Sequence, residues 1–144
     1  MLRRLESAAR LAARSSYSPY SQFRVGAAVL TGSGKIFAGC NVENASYGLC
    51  NCAERTAIFS AVTTGERKLR AVLVYTPTRT PTAPCGACLQ VISEFGADAE
   101  VISICDSAPR LETNLRALLG EPFSRDDLVR AARRPAGGKG RGTR

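Results

Sequence analysis

The sequence predicts an α/β fold, a mixed β-sheet with helices packed on it. Two observations carry this expectation. Strand-like and helix-like segments follow one another in the order β-β-α-β-α-β, and right-handed crossovers place the strands they join parallel. In addition, 144 residues with 44% hydrophobic content suit one domain, large enough to bury a core without disulfide staples.

Taken in order, Leu2, Leu5, Ala8, Ala9, Leu11 and Ala12 recur at helical spacing and predict an amphipathic first helix. Ser18-Pro19-Tyr20-Ser21 closes it, because Pro19 disfavours helix at the residue before it. Residues 23–30 and 35–42 flank Thr31-Gly32-Ser33-Gly34 and read as a β-hairpin with a glycine turn. Those glycines do not make a phosphate loop, since no helix follows and no lysine-serine/threonine pair completes the motif. Residues 43–51 read as a polar loop, and a helix is expected from near Cys52 to about Thr64, stopped by Gly65. Leu69 to Thr76 is mostly apolar and reads as a buried central strand. Three prolines between Thr76 and Pro84 exclude regular structure there. A second helix is expected from near Cys85 to Gly96, a strand over 101–105, a short helix over 114–119 and a last one from Ser124 to about Arg134.

The net charge is +8, but six basic and no acidic residues lie from Arg130 onward, which leaves fourteen basic against twelve acidic over 1–129. The charge is therefore mostly a property of the tail. Residues 1–134 are expected to form the working domain and 135–144 a basic, Gly-rich, disordered tail, which argues against nucleic acid as a partner. No stretch approaches the roughly 18 apolar residues of a membrane span. Met1 to Arg14 lacks the apolar core and small-residue cleavage site of a signal peptide, so a cytoplasmic location is expected. In a reducing compartment six cysteines serve as thiols or metal ligands rather than as bridges. The chain has no histidine, which removes the usual zinc ligand and the usual general base together.

Cys52-Ala53-Glu54 and Pro84-Cys85-Gly86-Ala87-Cys88 carry the chemistry, each at the start of an expected helix. Unpaired N–H groups and the helix dipole favour anions there, and thiolates are anions. Cys85 and Cys88 share one face of a first turn, although a C-x-x-C alone could equally be a redox pair or half a zinc ribbon. Three thiols and one carboxylate, if the fold brings the two segments together, suit a catalytic zinc that keeps one position for water. Each residue also has a plainer reading. Glu54 could be a first-turn charge, Phe23 and Phe123 core residues, and Tyr47 an interface filler. Cys40, Cys50 and Cys105 read as ordinary small residues, Cys50 lacking a glutamate two positions on.

Over residues 15–130 the sequence resembles the small homotetrameric zinc-dependent cytidine deaminases. The likeness rests on Ser18-Pro19-Tyr20-Ser21, Phe23, Val25-Gly26-Ala27-Ala28, the run from Gly39 to Gly48, Cys52-Ala53-Glu54-Arg55, Pro84 to Cys88, and Phe123. It implies a three-layer α-β-α fold with a mixed five-stranded sheet and helices on both faces. It further implies one Zn²⁺ per chain on Cys52, Cys85 and Cys88, Glu54 as proton shuttle, and Asn41 and Glu43 on the ribose hydroxyls. Phe23 would pack on the nucleoside, and the backbone of Ala53 and Cys85 would meet the base. Tyr47 and Phe123 would complete a neighbouring subunit's site in a homotetramer. The implied reaction is hydrolytic deamination of cytidine and deoxycytidine in pyrimidine salvage; a cytosine-nucleoside antibiotic of the blasticidin S type, or a modified cytosine nucleoside, is the alternative substrate.

Two positions depart from the family pattern. Three thiolates on Zn²⁺ leave a formal charge of −1, which cations and helix dipoles must offset. Arg55 matches the family's compensating arginine, but Leu89 stands where many relatives carry a second one. Gly120 stands where a proline is usual.

Overall fold

In the computed structural model, which describes residues 1–132, the chain runs α1 (Leu2–Ala13), β1 (Gly26–Thr31), β2 (Ile36–Cys40), α2 (Ala53–Thr63), β3 (Leu69–Tyr75), α3 (Gly86–Phe95), β4 (Glu100–Ile104), β5 (Arg110–Asn114), α4 (Leu115–Leu118) and α5 (Arg125–Ala132). A 3₁₀ turn at Tyr47–Leu49 interrupts the polar loop. The expected tail, 135–144, lies outside the described residues. Among the described residues no helix is long and apolar enough to cross a membrane.

The strands form one sheet in the order β2-β1-β3-β4-β5, in which β3 and β4 are parallel and every other neighbouring pair is antiparallel. Both faces are covered. Leu5, Ala9 and Ala13 of α1 pack with Ala28, Leu30, Leu73, Tyr75, Ile102 and Ile104 on one side. Ala57, Ile58 and Ala61 of α2, with Leu89 and Ile92 of α3, pack with Ala27, Val29, Val72 and Val74 on the other. Alternation along β1 and β3 sends successive side chains to opposite cores, which is why both strands are apolar almost throughout. This is the three-layer α-β-α arrangement that the resemblance implies.

Two glycines let the layers close. A Cβ on Gly26 would lie 2.0 Å from the Ala9 carbonyl oxygen, and one on Gly39 would lie 2.5 Å from the Ala57 nitrogen. Gly26 therefore admits α1 and Gly39 admits α2.

The order of elements read from the residues omits β5. Its pattern, Arg110-Leu111-Glu112-Thr113-Asn114, is that of an exposed edge strand, with charge on the open side. The hairpin strands are also shorter than expected, because at one end the ladder gives way to side-chain bonding. The Asn41 amide oxygen accepts the Val25 N–H at 2.8 Å, and the Asn41 nitrogen donates to the Phe23 carbonyl at 2.8 Å.

That end of the sheet gathers the chemistry. Gly26 pairs with both Cys40 and Tyr75, so the start of β1 and the ends of β2 and β3 lie side by side. Val42 and Asn51 exchange two backbone bonds of 2.9 Å, closing the loop between them and returning the chain beside Asn41 as α2 begins. The segment after β3 leads to α3, so both helices start at this same end.

Candidate active site

Cys52 and Cys85 are each the residue just before their helix, in extended conformation, and Cys88 sits in the first turn of α3. Extended backbone at both cap positions turns the two sulfurs toward each other. Cys52 Sγ lies 3.9 Å from Cys85 Sγ, Cys85 Sγ lies 3.6 Å from Cys88 Sγ, and all three lie within 4.8 Å of one another. A tetrahedron of Zn–S bonds of about 2.3 Å has edges of about 3.8 Å, so the trio has the spacing of three corners around one ion. Soft sulfur donors in that arrangement fit zinc. Among the described residues this is the cluster whose atoms could hold a metal.

The Cys52 and Cys88 sulfurs are electrostatically unequal. Cys52 is held down at about 5, chiefly by hydrogen bonding from Cys88 and then by Arg55, against the effect of burial. Cys88 is pushed up by its place beside Cys52 and by burial. Arg55 Nη2 donates to Cys52 Sγ at 3.3 Å and to the Cys50 carbonyl at 3.4 Å. Leu89 is 7% exposed within the core, so no cation approaches the trio from that position.

Next to the sulfurs opens a cavity of about 300 Å³, at the lower end of the range for small-molecule sites. Phe23, Asn41, Glu43, Cys52, Ala53, Glu54 and Cys85 all line it, joined by Ser21, Val25, Val74 and Thr82. Glu54 is 4% exposed, and its burial, followed by the neighbouring Cys52 charge, raises its pKa above the usual carboxylate value. A buried carboxyl with a raised pKa holds a proton more readily than a solvated one, which suits a group that carries a proton between reacting atoms.

Glu43 is engaged by its own chain. One carboxylate oxygen accepts the Tyr20 and Ser21 N–H groups at 2.9 and 3.2 Å, and the other accepts the Ser21 hydroxyl. These donors, the hydroxyl foremost, hold Glu43 below the usual carboxylate range. Gln22 adopts φ +56, an uncommon conformation for a non-glycine residue, between Ser21 and Phe23, both of which line the cavity. Asn41 is fixed likewise, its amide oxygen accepting from Ser16 at 2.5 Å as well as from Val25. One N–H of Asn41 and part of the Glu43 carboxylate remain for a ligand hydroxyl.

Tyr47 and Phe123 do not line the cavity of their own chain and are 72% and 59% exposed. Cys50 is half-buried on the cavity wall, with its sulfur against the Asn44 N–H at 3.3 Å and outside the sulfur trio. Sequence reasoning assigned no role to Ser21, Thr76 or Thr82, which also line the cavity. Ser21 stood inside a quoted motif, two positions before Phe23; Thr76 and Thr82 lay in a proline-rich segment that carries no periodic signal.

An ion held by these three sulfurs would keep one position for water, and the cavity that Cys52 and Cys85 line has the buried Glu54 carboxyl in its wall. On an α-β-α sheet these features define a zinc-dependent deaminase. Comparison with known proteins gives the family. Residues 2–104 match the model of the cytidine and deoxycytidylate deaminase zinc-binding region. The chain is 46% identical over 118 residues to a cytidine deaminase of Sporosarcina psychrophila, covering 81% of this chain and 87% of that one. It is 45% identical over 114 residues to a cytidine deaminase of Halalkalibacterium halodurans, covering 78% and 86%. The crystal structure of cytidine deaminase from Burkholderia pseudomallei superposes with a TM-score of 0.81 at 48% identity, covering 85% and 99%. The chain belongs to the cytidine and deoxycytidylate deaminase family.

Proposed function

We propose that the chain catalyses hydrolytic deamination of cytidine and deoxycytidine, giving uridine or deoxyuridine and ammonia. The observation that carries this is the meeting of three sulfurs, from the starts of two helices, beside a buried Glu54 in the wall of a cavity. In this reading Cys52, Cys85 and Cys88 hold one Zn²⁺ per chain. When bound, the ion supplies Lewis acidity that makes a coordinated water a usable nucleophile near neutral pH.

The chain's own residues do the rest. Glu54 takes a proton from the attacking water and passes it to ring N3 as the oxygen adds to C4; it then takes the proton of the new C4 hydroxyl and delivers it to the amine as the C4–N bond breaks, which leaves the C4 carbonyl and releases ammonia. Its burial raises its affinity for the proton it carries. Phe23 packs against the nucleoside, the backbone of Ala53 and Cys85 meets the base, and Asn41 and Glu43 meet a ribose hydroxyl with the capacity their internal bonds leave free. Arg55 offsets part of the thiolate charge. Tyr47 and Phe123, both exposed and off the cavity wall, fit residues that complete the site of another copy in a homotetramer. The setting we propose is cytoplasmic pyrimidine salvage.

The test is the ultraviolet absorbance of cytidine incubated with zinc-loaded protein and with Glu54→Gln. Conversion by the first and not by the second is expected. If neither converts cytidine while both hold one zinc per chain, the substrate assignment is wrong and a modified cytosine nucleoside or the antibiotic takes its place.

A further inference from the structure

We propose that Gln90 is a positioning residue for the deamination, acting through Phe123; this rests on the assignment of Phe123 to the pocket of a second copy. Gln90 lies on α3 two residues after Cys88 and is partly buried. Its Nε2 donates to the Phe123 carbonyl at 2.7 Å, and its Oε1 accepts the Phe123 N–H at 3.2 Å. The primary amide thus engages the donor and the acceptor of one residue together, as a neighbouring strand would.

Phe123 needs such a clamp. It lies in the segment between α4 and α5, outside regular structure, and its ring is exposed. The following residue is tied separately, Ser124 bonding to Asp127 through both its N–H, at 2.8 Å, and its hydroxyl, at 2.7 Å. The backbone is therefore held on both sides while the ring is left free to be offered outward. Ordering the segment during folding removes an entropic cost that binding would otherwise carry. Because α3 also carries Cys85 and Cys88 at its start, one helix sets both the sulfur cradle of its own chain and the ring presented to the next.

The experiment compares Gln90→Met, Phe123→Ala and the double variant by steady-state kinetics with cytidine, with zinc content and thermal midpoint measured alongside. Gln90→Met keeps length and volume but removes both bonds, and losing two neutral hydrogen bonds predicts a KM increase of about tenfold. Zinc content and kcat should stay close to the parent values, since a remote positioning loss falls on binding. On the Phe123→Ala background the same substitution should add nothing.

A raised KM in Phe123→Ala with an unchanged KM in Gln90→Met overturns the role of Gln90 alone. An unchanged KM in Phe123→Ala overturns the shared-site assignment and this proposal with it. Additive effects in the double variant show that Gln90 does not work through Phe123.

Discussion

Arg55 Nη2 lies 3.3 Å from Cys52 Sγ, and among the described residues it is the cation hydrogen-bonded to the sulfur trio. The position of a second family arginine is filled by Leu89, which is turned into the core. In the proposed function, compensation of the thiolate charge therefore falls to Arg55 and the helix termini. Arg55→Gln should lower kcat/KM by roughly ten- to a hundredfold, the range for loss of a hydrogen bond to a charged group, and should move the acid limb of the pH–rate profile upward. Zinc content and the pH–rate profile are the measurements, and an unchanged profile would remove Arg55 from this role.

Glu43 should give nucleoside binding a distinct pH dependence. The Ser21 hydroxyl and two backbone N–H groups favour its ionised form and depress its folded-state pKa. Glu43 accepts a ligand hydroxyl best as the anion, and that contribution to binding is lost only as pH falls through its depressed folded-state value. KM for cytidine should accordingly stay flat down through the ordinary carboxylate range and rise only below it. Ser21→Ala removes the first cause of the depression, so the rise should begin at higher pH. Coincident KM profiles for the two proteins would contradict the assignment.

Much of the site was legible because its chemistry is local. Cys85 and Cys88 are three apart at a helix start, and Glu54 follows Cys52 by two, so each segment marks itself as a candidate before any tertiary contact is known, although C-x-x-C alone also fits a redox pair or half a zinc ribbon. The convergence of Cys52 with Cys85, 33 positions away, was legible only through the family likeness. It depends on the β1 register that aligns Gly26 with both Cys40 and Tyr75, which no single segment specifies. The helices were readable from periodicity, whereas β5 was not, since an edge strand with one solvated side offers too few apolar positions. The internal bonds of Asn41 and Glu43 were likewise hidden, because residue type alone does not reveal whether a side chain serves a ligand, its own loop, or both.

Gly39 should be intolerant of a side chain, and its effect should reach the active site. A Cβ there would meet the Ala57 nitrogen at 2.5 Å and the Ala53 carbonyl at 2.9 Å, both of them backbone atoms of α2. Relief requires α2 to move, and Cys52 and Glu54 move with it. Gly39→Ala should cost about 1–3 kcal/mol, as overpacking does, and should lower zinc affinity as well. By contrast, Gly48→Ala meets no atom within 4 Å and should leave the thermal midpoint unchanged. Equal midpoints for the two variants would show that the β2–α2 contact yields more easily than its geometry implies.

Removing the metal should cost stability as well as activity. The sulfurs belong to the starts of two helices on the same face of the sheet, Cys52 before α2 and Cys85 and Cys88 at the start of α3, so an ion held by all three ties these starts together. A ligand that binds only the folded state at a thousand times its dissociation constant stabilises by about 4 kcal/mol. For a chain of this size that corresponds to a thermal midpoint shift on the order of 10 °C. Chelation should therefore abolish turnover and lower the midpoint by about that amount, with zinc restoring both. Cys85→Ser should abolish the zinc-dependent part of the shift. Cys50→Ser should retain one zinc per chain, since the Cys50 sulfur faces the Asn44 backbone outside the trio. Loss of zinc in Cys50→Ser would mean that four sulfurs close the tetrahedron, leaving no position for water and no catalytic role for the ion.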